Sequence, residues 1–218
     1  MGKSSIAISE LIEQYQAGER NFQSLKIEAA NLDNIDLSGS NFSRTHFYGC
    51  VIRQANLSGV NFTGASIYRC KFNGTNLRGA NLSDTLFDKV DFSNTNGSGT
   101  IFKKAHLFDV NLQKANFTAA DFSDASFNKV KLTGTNFAQC NLSIIYVTNT
   151  DVNEAILTDA IVSLRKGDRI GYHVCVKCGG DAYHAGTTFT GGAFGSGNTE
   201  ADVYFECYDC GHSWCEYR

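Results

Sequence analysis

The sequence predicts an all-β chain wound as a solenoid, and two periodic features predict it. From Phe22 to Val162 one large apolar residue recurs at every fifth position, 29 positions in all, without a frame shift and with only Gly97 departing from the rule. Two residues before it stands, most often, a small residue such as Ala30, Ser40, Ala55, Thr75, Ala80 or Ala115, and between the two a polar residue, usually Asn or Asp. A period of five fits neither the 3.6 of a helix nor the 2 of a long strand. A compound unit does fit. The small, polar and large residues alternate in, out and in along a three-residue strand. The other two positions, rich in Gly, Ser, Thr and Asn, turn a corner. Successive windings then pair as parallel strands about 4.8 Å apart, each repeat burying its inner face only against its neighbours.

Residues 1–20 precede the repeats. Ser5 to about Ala17 carries Ile6, Ile8, Leu11, Ile12 and Tyr15 among polar residues, with Gly18 as a stop, and so predicts a short amphipathic helix. A solenoid ends in exposed apolar core and unpaired strand edges. The helix is therefore expected to cap Phe22 and Ile27.

The repeats occupy residues 21–163. The runs A-N-L-S-G-V-N-F-T-G-A from Ala55 and R-G-A-N-L-S-D-T from Arg78 resemble the pentapeptide repeat proteins, and the stretch from Tyr15 to Phe22 is similar to the lead-in of many of them. The resemblance implies a right-handed, four-sided β-helix with 20 residues per coil. On that geometry residues 20 apart stack, and Phe22, Phe42, Phe62, Leu82, Phe102, Phe122 and Leu142 form a largely phenylalanine ladder. Cys50, Cys70 and Cys140 fall at the small inward position, where cysteine packs as a small hydrophobe. His46 and His106 point outward three coils apart, too far for a shared metal or proton relay. Gly97, in the column between Leu77 and Phe117, predicts a local bulge, since glycine fills no core and favours unusual backbone angles. The triplets at Asn41, Asn56, Asn61, Asn81, Asn116 and Asn141 match glycosylation acceptors but are the repeat itself.

Residues 164–171, which include Arg165-Lys-Gly-Asp-Arg169, read as a linker to a second unit at 172–218. There Cys175-Val-Lys-Cys178 and Cys207-Tyr-Asp-Cys210 are each followed by a glycine, Gly179 or Gly211, that permits the tight turn aiming two thiolates at one ion. Two such knuckles meet the tetrahedral four-sulfur preference of zinc and leave no open position, so one structural Zn2+ is expected on Cys175, Cys178, Cys207 and Cys210. A β-hairpin through Thr187 to Thr190 with a Gly-rich tip at 191–197 absorbs the long gap between the pairs. His212 and Cys215 are spare donors. The segment from Tyr204 to Trp214 resembles the zinc ribbon of transcript-cleavage elongation factors and RNA polymerase small subunits. That family carries adjacent acids at a hairpin tip; here Glu200 and Asp202 are separated by Ala201, which argues against cleavage activity.

Charge separates the remaining function classes. The repeats hold 12 cations and 12 acids within a chain of formal charge -3, which favours neither generic nucleic-acid affinity nor an acidic decoy. No catalytic constellation, and hence no enzyme with a small-molecule substrate, emerges. No run of 18 apolar residues spans a membrane, and the start lacks an apolar signal core, so a cytoplasmic location is expected. With 20 residues per coil, Arg69, Lys89, Asp109 and Lys129 stack in one outward column and Lys71, Asp91, Asn111 and Lys131 in another, sharing one corner. Its cations Arg69, Lys71, Lys89, Lys129 and Lys131 exceed Asp91 and Asp109 by three, marking a ridge for an acidic protein partner. The reading is a non-enzymatic interaction scaffold with a structural zinc. The alternatives are a DNA-mimicking topoisomerase-protection protein, a class known among the family, and a nucleic-acid-binding or transcription-linked module acting through the ribbon.

Overall fold

The computed structural model describes residues 4–152, 155–164, 173–174, 181–189, 201–207 and 213–217, with side chains described over 5–152 and 155–162. A short strand, β1 (Ser4–Ser5), and one helix, α1 (Ile8–Gln16), lead into the coils. The strands β2 (Leu25–Glu28), β3 (His46–Tyr48), β4 (Ser66–Tyr68), β5 (Leu86–Asp88), β6 (His106–Phe108) and β7 (Ser126–Asn128) then stack in parallel, with Lys26 beside His46, His46 beside Ser66, and so on in steps of 20 residues. Elsewhere on the coil, single-residue bridges keep the same step, as between Asn21 and Asn41, Asn31 and Val51, and Asp36 and Asn56. Four five-residue units thus close one coil. The four faces are named here after their first large inward residues: Phe22, Ile27, Leu32 and Leu37.

Burial follows the sequence period. From Phe22 to Val147 no large inward side chain is more than 3% exposed. The phenylalanines stack along columns, as for Phe22 and Phe42 (5.4 Å, 22°) and Phe102 and Phe122 (4.5 Å, 9°). Between columns they meet edge-on, as for Phe102 and Phe117 (5.4 Å, 86°). Both geometries suit the aromatic quadrupole. Threonines at the small inward position satisfy their hydroxyls on a carbonyl of the coil below: Thr45 Oγ1 donates to Phe22 O (2.9 Å), Thr75 to Ile52 O (2.6 Å), Thr85 to Phe62 O (2.9 Å) and Thr135 to Leu112 O (2.8 Å).

Corners need a left-handed residue two positions after the large one, and both glycines and ordinary residues fill it, such as Gly59 (φ 66°), Arg44 (φ 58°) and Lys104 (φ 59°). On three faces the turn closes with a backbone bond, as in Thr45 N to Phe42 O (3.1 Å) and Ser40 N to Leu37 O (3.2 Å). The outward Asn or Asp secures it by accepting the N–H two residues on, as Asn41 does from Ser43 (3.0 Å) and Asp91 from Ser93 (2.9 Å). These side-chain caps offset the roughly 1–2 kcal/mol that a left-handed residue costs. Asparagines also bond their neighbours one coil away, as Asn76 Nδ2 does to Asn56 Oδ1 (3.0 Å).

Gly97 does not form the expected bulge. Its N–H donates to Asn116 O (2.7 Å), Thr100 N closes the turn on its carbonyl (3.1 Å), and Asn96 keeps its bridges to both neighbouring coils. The gap is filled instead by the ring of Phe117 from the next coil, which a Cβ on Gly97 would strike. The large residue one coil away supplies the missing volume, so the backbone need not depart from its regular path.

At the N-terminal end α1 begins later than the apolar pattern suggested, because Ser4 and Ser5 pair with Leu25 and Lys26 on the open edge of β2. Leu11 is fully buried, Ile6, Ile8 and Tyr15 pack against the core, and Tyr15 donates its hydroxyl to Ser38 O (3.1 Å). After the regular coils, β8 (Asn141–Thr148) pairs with β7 and with β9 (Ile161–Leu164), its register shifting between Leu142 and Ile145. A separate antiparallel sheet follows, in the order β10 (His173–Val174), β11 (Asp181–Phe189), β12 (Ala201–Cys207) and β13 (Ser213–Tyr217).

Candidate macromolecular interface

Three faces present mostly Asn, Asp, Ser and Thr to solvent. The Ile27 face does not. Its two outward columns run Lys26, His46, Ser66, Leu86, His106, Ser126 and Tyr146, then Glu28, Tyr48, Tyr68, Asp88, Phe108, Asn128 and Thr148. Tyr48, Leu86 and Phe108 are each 42% exposed and Tyr146 is 45% exposed. No backbone turn bond closes the corner after this face among the described residues; there the N–H of Gly49 and Arg69 continues the ladder to Tyr68 O (2.9 Å) and Asp88 O (2.8 Å). The same bond runs at the other corners, as in Arg44 N to Thr63 O (2.9 Å) and Gly39 N to Ser58 O (2.9 Å), so what sets this face apart is the missing turn bond, together with three-residue strands throughout β3 to β7.

The ridge expected from the sequence borders this face. Arg69, Lys89, Asp109 and Lys129 occupy the left-handed corner position, with φ of 53°, 56°, 54° and 57°. Lys71, Asp91, Asn111 and Lys131 bridge one another in order on the adjoining Leu32 face. All five cations are exposed. The ladder carries on to Asp151 beside Lys131, and Asp88 precedes Lys89, so five cations face four carboxylates and the excess of three falls to one. A shallow depression lined by Asp109, Gln113, Lys129, Lys131, Asn149 and Asp151 lies at the same corner.

What the sequence reading missed is the aromatic column inside the ridge. Arg69 lies 5.9 Å over the Tyr48 ring and its Nη1 donates to the Tyr48 hydroxyl (3.4 Å), while Lys129 Nζ sits 5.5 Å over Phe108. The ring of His46 meets that of Tyr68 at 5.4 Å. The signal was present: His-Phe-Tyr, Ser-Ile-Tyr and His-Leu-Phe place rings at outward positions that other faces give to Ser or Thr. His106 Nδ1 pairs with Ser126 Oγ at 2.8 Å, on a rung of its own well apart from His46.

Cys50, Cys70 and Cys140 are free thiols with at most 1% exposure, as core packing requires. Cys70 Sγ accepts the Cys50 N–H (3.4 Å) at the corner that lacks a turn carbonyl. The side-chain hydrogen bond between the two thiols, helped by burial and opposed by the Cys50 N–H, holds the Cys70 thiol well above its ordinary pKa, and burial pushes Cys140 up to about 12. Neither is a thiolate at neutral pH. Cys175, Cys178 and Cys210 lie outside the described residues, as does the side chain of Cys207, and the spare donors His212 and Cys215 stand likewise. Among the described residues no group of three or more His, Cys, Asp or Glu side chains could hold a metal, and no helix is long and apolar enough to cross a membrane.

A sequence profile described as pentapeptide repeats matches in eight copies, reported over residues 21–59, 30–67, 40–79, 75–110 and 105–143. No curated protein matches the chain. Among solved structures, QnrB1, described as a plasmid-mediated fluoroquinolone resistance protein, is 18% identical over 74% of this chain and 83% of its own, with a TM-score of 0.39. A pentapeptide repeat protein from the thylakoid lumen of Arabidopsis thaliana is 28% identical over 50% and 69%, with a TM-score of 0.31. HetL of the cyanobacterium Nostoc, described as involved in heterocyst differentiation regulation, is 20% identical over 75% and 99%, with a TM-score of 0.23.

Proposed function

The chain belongs to the pentapeptide repeat family, and from that premise we propose that it is a non-enzymatic scaffold that binds an acidic protein partner on its solenoid. One observation carries this reading: among the described residues the Ile27 face alone exposes rings in register, and stacked cations edge it at Arg69, Lys89 and Lys129. Buried aromatic and arginine anchors within a polar rim are what protein interfaces use for affinity. Charge at the rim speeds encounter and fixes register. The test is affinity capture from the native cell with the full chain as bait, beside a variant carrying Arg69→Glu, Lys89→Glu and Lys129→Glu. A partner retained by the parent and lost by the well-folded variant supports the reading; equal retention by both sinks it.

The C-terminal unit is read as a zinc ribbon with one structural ion on Cys175, Cys178, Cys207 and Cys210. Strand register supports this. Val174 pairs with Asp181, Ala182 with Cys207, and Glu206 with Ser213, so the chain leaves and re-enters the sheet at one end around both C-x-x-C pairs. A bound zinc supplies a cross-link there, not a Lewis acid, because four thiolates leave no open position. The DNA-mimic alternative needs a dense acidic stripe. Between Leu37 and Ser83 this chain has five cations and no acid, and strong inhibition of gyrase supercoiling is the result that would revive it.

A further inference from the structure

We infer that the partner's principal anchor lies at the second and third coils of the Ile27 face, where Tyr48, Tyr68 and Arg69 receive a short acidic segment carrying an apolar side chain. This rests on the scaffold reading above and narrows it to one place and one chemistry.

Charge points to these coils rather than to the length of the ridge. Of the five cations between Leu37 and Ser83, Arg53 already holds Asp33 through two nitrogens (Nη2 to Oδ2 2.6 Å, Nε to Oδ2 3.1 Å), and that bond keeps the Asp33 carboxyl below its usual range. Arg78 is on the Leu37 face. The remaining three flank the Ile27 face on both sides: Arg44 at the corner before it (φ 58°), Arg69 at the corner after it (φ 53°), and Lys71 on the first ladder position beyond. Between these flanks stand rings and no carboxylate. Tyr48 and Tyr68 occupy successive rungs of one column, with His46 packed against Tyr68.

Arg69 is also arranged before any partner arrives. Its guanidinium lies over the Tyr48 ring and donates to the Tyr48 hydroxyl, which leaves other N–H groups directed to solvent for a carboxylate. A side chain fixed in advance loses less freedom on binding. The cationic strip spans only two coils, about 10 Å at the usual strand spacing. On the next coil Asp84, Asp88 and Asp91 outnumber Lys89 and close it off. So short a strip fits one or two carboxylates beside an apolar anchor better than a nucleic-acid backbone, whose affinity comes from neutralising many phosphates.

The experiment uses the full chain and three dye-labelled probes read by fluorescence anisotropy: a glutamate-rich peptide with a central leucine, its lysine counterpart, and a single-stranded oligonucleotide of equal charge. The glutamate peptide should bind and weaken with salt, and Arg69→Glu and Tyr48→Ala should each cost about tenfold or more in affinity. Arg78→Glu, on another face of the same coil, should change nothing. Amide-shift mapping on the unsubstituted protein gives the same answer without a variant, with shifts centred on Tyr48, Tyr68 and Arg69. The inference fails if the oligonucleotide binds more tightly than the peptide, if no acidic peptide binds, or if Arg78→Glu matters as much as Arg69→Glu. Shifts centred on Lys129 and Lys131, with Tyr48→Ala silent, also overturn it while leaving the scaffold reading in place.

Discussion

Single residues in this fold are judged against their neighbours 20 positions away, and Gly97 is the sharpest case. A methyl on Gly97 would strike the edge of the Phe117 ring inside a core where Phe117 is fully buried. Gly97→Ala should therefore destabilise by about 1–3 kcal/mol, the usual cost of overpacking, measured by denaturant unfolding. Pairing Gly97→Leu with Phe117→Leu restores a uniform leucine column with Leu77, and the double variant should be more stable than the sum of the singles. Simple additivity would mean that the two side chains do not share this space. Hydroxyls obey the same logic. Thr75→Val leaves Ile52 O without its 2.6 Å donor and should cost about 1–2 kcal/mol, whereas Ser40, whose buried hydroxyl lacks a partner among the described residues, should tolerate alanine.

At the level of elements, the end of the rod shows how far periodicity reaches. Ile6, Leu11 and Tyr15 announced an apolar helix face, and that helix exists, with Leu11 fully buried. Leu11→Ala should cost about 2–5 kcal/mol, as for other buried leucines, and should promote end-to-end association as the first coil is uncovered, visible as concentration-dependent sedimentation. An unchanged melting curve would remove α1 from the cap. The pairing of Ser4 and Ser5 with β2 was not legible, because two serines carry no periodic signal and the strand forms only against an edge supplied by Leu25 and Lys26. The 20-residue register was legible only through the family resemblance, because a period of five does not by itself fix four sides to a coil. The filling of the Gly97 gap was not, since it depends on where one phenylalanine ring swings. For the interface, the cation columns could be read from spacing, but Asp151 was overlooked and the rings of Tyr48, Tyr68 and Phe108 were not weighed as a surface. An inward-outward pattern sorts residues by side; recognising a patch requires the next coil's residues placed beside them.

Over the whole molecule, stability divides between two kinds of unit. In the solenoid each coil buries its inner residues against the coils above and below, and the core from Leu11 to Ala160 is continuous, so its cohesion depends on stacking. The C-terminal sheet of four strands spans few residues, from His173 to Tyr217, and a unit of that size usually needs a staple. If four thiolates hold zinc there, binding free energy is folding free energy for that unit alone. The freshly purified protein should then contain one zinc per chain. A strong chelator should abolish a minor unfolding transition and alter tryptophan emission from Trp214, the one tryptophan in the chain, while the β signal of the repeats and their melting temperature persist. Replacing Cys207 and Cys210 together by serine should reproduce the chelated state without chelator. Protein free of zinc with both transitions intact would remove the metal from the account, and loss of both transitions together on chelation would mean that the coils lean on the C-terminal unit for their own stability.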